Sequence, residues 1–183
     1  MGDIRHITVQ LVTSGDKDFG DTGTDDPVYL GFFGSGGGRE FPLFVTNFDD
    51  YERGSKVDYF LGNEVINLGG NQKQVDRSSP GQANDPARLP VDLDSVQFVY
   101  LRKQNYGLLQ PQTTAGPPAD EGEDDAWLLE TADAFLGDGS NYRHFLTRPE
   151  KEGLWFGNEF GQKVYMREVP IRLRPNDVIR RAE

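Results

Sequence analysis

The chain contains no cysteine, which excludes disulfides, thiolate metal sites and a cysteine nucleophile while leaving the compartment open. It has only two histidines, His6 and His144. Neither belongs to a His-Glu-x-x-His motif, and there is no Gly-x-Ser-x-Gly elbow and no phosphate-binding glycine loop ending in Lys-Ser or Lys-Thr. No apolar run approaches the roughly 20 residues needed to span a bilayer. No apolar segment follows the first charges as a secretory signal would require. The Met-Gly start fails as a myristoylation signal because His6 stands where Ser or Thr is required. These absences point to a soluble or peripheral protein. Basic residues are short as well: 19 Lys and Arg face 30 Asp and Glu, a formal net charge of −11. A field of that sign repels phosphate backbones and argues against nucleic-acid binding. It also repels anionic lipid headgroups unless a bound cation offsets it locally.

What is present suggests one domain over residues 1–183, too short for two comfortable ones. Hydrophobic residues make up 36%, beside 22 Gly and 11 Pro, so many turns surround a modest core. The 12 Phe and 7 Tyr supply apolar volume for that core. In IRHITVQLVTSG, Ile7, Val9 and Leu11 alternate with His6, Thr8 and Gln10, the period of a half-buried strand. PVYLGFFG, REFPLFVTNF, SKVDYFLGNEVINL and DSVQFVYLRK continue the strand pattern. Pro42 marks an edge or a bulge, and the apolar residues on both faces of 96–101 mark a central strand. AWLLETADAFL fits a helix or a strand. The closing alternation of Val169, Ile171 and Leu173 is again strand-like. Two polar stretches, about 69–92 and 110–125, read as surface insertions. From residue 167 onward Arg167, Arg172, Arg174, Arg180 and Arg181 meet only three acids, and the stretch ends in a basic tail over about 174–183. This is either a basic patch or solvated arginine on an edge strand. Short strands between turn signals imply an all-β sandwich.

Three segments concentrate carboxylates. The first is Asp16, Asp18 and Asp21 with Gly23-Thr24-Asp25-Asp26, the second Asp49-Asp50-Tyr51-Glu52, and the third Glu123-Asp124-Asp125. Calcium takes six to eight oxygens from carboxylates and carbonyls on flexible loops, and Gly23 lets backbone carbonyls turn inward. None of the three has the spacing of the helix-flanked calcium loop, and Asp at a turn also caps its own backbone. A glycosidase pair would need two carboxyls held at one sugar site, which no spacing here specifies.

The ordered set GTDDPVYLGFFGSGG, DDYERGSKVDYF, DLDSVQFVYLRK, DDAWLLE and LWF resembles the PLAT domain, the β-sandwich at the start of lipoxygenases and the end of some lipases and bacterial alpha-toxins. The likeness spans roughly residues 4–170. It implies an eight-stranded antiparallel sandwich of two sheets, here with two long polar insertions. It further implies a non-catalytic role in docking to a lipid or membrane surface or to a protein partner, with calcium assisting. By position, Gly23, Thr24, Asp25 and Asp26 match the first calcium loop. Asp49, Asp50 and Glu52 match the acidic turn before Arg-Gly, and Asp124 and Asp125 match the acids before the Trp strand. Asp94 stands where the family has glycine. Phe19, Tyr106 and Trp155, in loop-like positions, are the expected membrane- or partner-contacting aromatics. Trp127 and Leu129 are expected in the core.

Overall fold

In a computed structural model the described residues are 2–18, 22–76, 84–88, 90–104, 126–148, 153–157, 161–171 and 177–180. Eight strands of six or more residues carry the architecture: β1 (His6–Thr13), β2 (Val28–Gly34), β3 (Gly37–Pro42), β4 (Lys56–Leu61), β7 (Val96–Lys103), β8 (Trp127–Gly137), β9 (Tyr142–Thr147) and β11 (Lys163–Val169). Four short ones join them: β5 (Glu64–Ile66), β6 (Asn71–Gln74), β10 (Leu154–Phe156) and β12 (Val178–Arg180). The long strands pair antiparallel in the order β3-β2-β7-β11-β9-β8-β1-β4. β11 belongs to both halves of this path. Its residues 163–166 pair with β7 and its residues 167–169 with β9, so one strand turns the corner between two four-stranded layers.

The core lies between those layers. Ile7, Val9 and Leu11 of β1, Tyr59 of β4 and Leu129, Ala132 and Ala134 of β8 face Leu30 and Phe32 of β2 and Val99 and Leu101 of β7, all nearly inaccessible. The inward sets follow the period-two pattern of the sequence. AWLLETADAFL is strand from Trp127 on, part of an 11-residue strand that runs to Gly137. It lies between β1 and β9, where a helix has no place. Trp127 and Leu129 are fully buried. Pro42 closes edge strand β3, where its missing N–H costs no ladder bond.

The 69–92 stretch and the basic tail are partly ordered, while the 110–125 stretch expected as an insertion lies outside the described residues. Part of 69–92 forms β6, which runs parallel to β4, and Val75 and Val91 enter the core. Part of the basic tail forms β12, paired with β5. The second face of β1 is also covered. Thr8 Oγ accepts from Ile66 N at 3.0 Å, and Gln10 donates to Asp58 at 2.6 Å and to Leu68 O at 3.0 Å. Both histidines sit in structural contacts. His6 Nδ1 accepts from Asn63 N and Glu64 N, both at 3.2 Å, and His144 pairs with Asp133 at 2.8 Å while stacking on Phe135.

Candidate metal centre and adjoining groove

The loop between β1 and β2 is tied down before it presents its acids. Thr22 donates its hydroxyl to Ser14 O at 2.5 Å, and Leu128 N donates to Thr22 O at 3.0 Å. Gly23 is then pressed against the 51–53 turn: a Cβ would lie 3.1 Å from Tyr51 O. Thr24 Oγ accepts from Asp26 N at 3.1 Å, a local turn that sends the two following carboxylates opposite ways. Asp25 remains exposed, while Asp26 goes inward and forms an ion pair with Lys103, both side chains almost inaccessible.

The second loop is shaped by Tyr51. Its φ is 64°, the left-handed region that bulky residues seldom occupy. Holding it there costs about 1–3 kcal/mol. Packing offsets that cost: the buried ring lies 5.8 Å from Tyr59 and 5.6 Å from Trp127, and its hydroxyl donates to Leu43 O. Trp127 Nε1 in turn donates to Thr13 Oγ at 3.0 Å. With Tyr51 rotated inward, its neighbours Asp49 and Glu52 stay on the surface. There Asp25, Asp49 and Glu52 each bring a carboxylate oxygen within 4.8 Å of the other two. Two oxygens bound to one calcium at 2.3–2.6 Å are at most about 5 Å apart, so the spacing suits that ion.

A groove of about 620 Å³ adjoins this triad. Asp25, Asp26, Asp49, Asp50 and Asp76 give it an acidic wall, and Val28, Leu43, Phe44 and Phe48 an apolar one. Phe44 is 53% exposed, although it is a large apolar side chain. Asp50 is half-buried: one carboxylate oxygen accepts from Val45 N at 3.3 Å, while the other is fully buried. Burial, reinforced by nearby Asp49 and Asp76, pushes its pKa up to about 6. Burial also pushes the Tyr51 and Tyr59 phenols upward, so both stay neutral.

Of the residues expected at a metal site, Asp25, Asp49 and Glu52 come together. Gly23 and Thr24 lie buried behind them as loop supports. Asp26 is turned away to Lys103, because a buried ammonium needs a counter-charge. Asp50 lines the groove beside the triad. Asp124, Asp125, Phe19 and Tyr106 lie outside the described residues. Trp155 is in strand β10, not a loop, half-buried and paired in register with Leu128. Sequence reasoning missed Phe44, Phe48 and Asp76. Its available signal was Pro42, which ends β3 and leaves Phe44 beyond the last ladder bond.

No protein-family model matches the chain, and no curated protein does. Solved structures do. Alpha-toxin from Clostridium absonum aligns over 90% of this chain at 16% identity with a TM-score of 0.51. Clostridium perfringens alpha-toxin aligns over 90% at 17% identity with a TM-score of 0.50. The fold is a PLAT-type β-sandwich. A coral 8R-lipoxygenase follows at 15% identity over 89% of this chain, with a TM-score of 0.48, too low to add to the assignment of the PLAT-type fold. The chain spans about a third of each toxin, 31% and 32%, and 17% of the lipoxygenase. Among the described residues, no helix is long and apolar enough to cross a membrane.

Proposed function

We infer that the chain is a non-catalytic docking module that uses calcium to bring the groove end of the sandwich to a lipid surface. The observation that carries this reading is the convergence of Asp25, Asp49 and Glu52 from two loops, beside a groove whose apolar wall ends in exposed Phe44. Without a cation, the carboxylates repel one another and any anionic surface. A bound calcium offsets most of that charge, joins the two loops and leaves Phe44 free to enter the interface, where aromatic rings are favoured. Gly23 and Thr24 hold the first loop in place. Asp124 and Asp125 are further ligands in this reading, and Phe19 and Tyr106 further contacts.

The test is a calcium titration followed by vesicle flotation. Binding to the folded state alone raises stability by about 2.7 kcal/mol at one hundred times the Kd. Calcium should therefore raise the Tm of the parent but not of Asp25→Asn/Glu52→Gln. It should also drive the parent onto vesicles of phosphatidylcholine with phosphatidylserine. Phe44→Ser should keep the Tm shift and lose flotation. Equal Tm with calcium and with EDTA would refute the metal site. A Tm shift without flotation would leave calcium and refute the lipid surface, in favour of a protein partner.

A further inference from the structure

The outer face of the β3-β2-β7-β11 layer carries a second surface, separate from the groove. β2, β7 and β11 align in register, with Phe33 opposite Phe98, Gly31 opposite Tyr100, and Tyr100 opposite Tyr165. Phe33, Phe98 and Tyr165 are 39%, 47% and 55% exposed. They form one cluster: Phe33 stacks on Phe98 at 4.8 Å, and Tyr165 meets Phe33, Phe98 and Tyr100 edge-on at 6.0–6.5 Å. The Tyr100 ring lies across β2, in space that only Gly31 leaves open, since a Cβ there would come within 2.1 Å of the ring.

Cations border the cluster. Lys163 Nζ sits 4.2 Å from the Tyr100 centroid, and Arg102 is 4.2 Å from that of Tyr29. Arg167, two residues past Tyr165 on the same strand, is exposed. Among the described residues the acid on the outward side of these strands is Glu40, bonded through both oxygens to Arg102. A chain of net charge −11 thus shows a locally positive face around exposed aromatics. Solvated strands of such a protein have no need of either feature.

We propose that this face docks an acidic protein surface, one that offers an apolar contact ringed by Asp or Glu. Charge complementarity selects an acidic occupant. Aromatic residues with arginine, flat and desolvated at the centre, are the composition of protein–protein hot spots. The edge-on rings form no coplanar platform for a sugar. The cluster lies on the flat of the sheet and not on loop tips, which favours a protein over a bilayer.

The test uses the full chain in EDTA, so that it is independent of the calcium reading. A random-peptide library displayed on phage is selected on the parent, and the enriched peptides are synthesised and titrated. They should combine carboxylates with an aromatic or aliphatic anchor, and should weaken with salt. Phe98→Ser/Tyr165→Ser should reduce binding at least about tenfold, the effect expected from two lost hot-spot contacts. Lys163→Glu/Arg167→Glu keeps the aromatics and should do the same, so the result does not depend on one variant folding. Enriched peptides that are neutral or basic, or that bind parent and both variants alike, would overturn the proposal. So would flotation with anionic vesicles in EDTA that both variants abolish, or self-association of the parent that both abolish.

Discussion

Replacing Asp26 with Asn separates two roles that sequence position alone cannot. Asp26 was expected to bind metal; the structure makes it the counter-ion of Lys103, whose side chain is 1% exposed. Asp26→Asn removes the carboxylate bonded to that buried ammonium, and breaking a buried pair in this way costs about 3–5 kcal/mol. A domain of this size loses roughly 2–4 °C of Tm per kcal/mol, so melting should fall by about 6–20 °C. Lys103→Met should also be costly, because it leaves the Asp26 carboxylate, only 8% exposed, without this counter-charge. The double variant Asp26→Asn/Lys103→Met should be more stable than Asp26→Asn alone, giving a clear coupling term in a double-mutant cycle. Urea denaturation in EDTA measures all four proteins. Calcium should still raise the Tm of Asp26→Asn, provided that it is folded at the start. The reasoning fails if Asp26→Asn melts with the parent in EDTA yet loses its calcium shift, which would make Asp26 a ligand.

Other perturbations probe other parts of the structure. The raised Asp50 pKa means that its carboxyl binds a proton more tightly folded than unfolded. Its contribution is therefore most favourable below its unfolded value near 4 and is lost as pH rises through about 6. Asp50→Asn should accordingly raise Tm at pH 7.5 in EDTA and leave it unchanged at pH 4, read by thermal melts at both. Trp127→Ala should cost about 3–5 kcal/mol in denaturant titrations, because it empties a fully buried site. It should also weaken calcium binding through Tyr51. Gly31→Ala forces the Tyr100 ring off β2 and should cost about 1–3 kcal/mol. Near-ultraviolet circular dichroism should show the lost tyrosine packing, while far-ultraviolet signal persists.

The strands were legible because one face of each meets the core. Ile7, Val9 and Leu11 announce β1 by alternation, and Pro42 announces the edge. The other face of β1 was not legible. Thr8 and Gln10 read as solvent-facing, but they are buried under the 64–70 segment, and a polar residue looks the same in sequence whether its partner is water or a backbone amide. β7 was read as central with two apolar faces, and it is central. Phe98 and Tyr100 nevertheless remain outside the core, because no element of the described fold covers that side. At the candidate site, the acidic loops and their order were visible, but the direction of each carboxylate was not. That direction depends on a turn at Thr24, a left-handed Tyr51 and a lysine 77 residues away in β7.

Strand β11 has a consequence for how the sandwich opens. Its first half completes one layer and its second half the other, so neither layer can be peeled away without breaking the ladder of the same seven residues. Unfolding is then a single cooperative event, not two. Amide hydrogens bonded to β7 and those bonded to β9 should exchange with one common opening free energy, equal to the global value. A ligand held at either end of the molecule should slow both sets together.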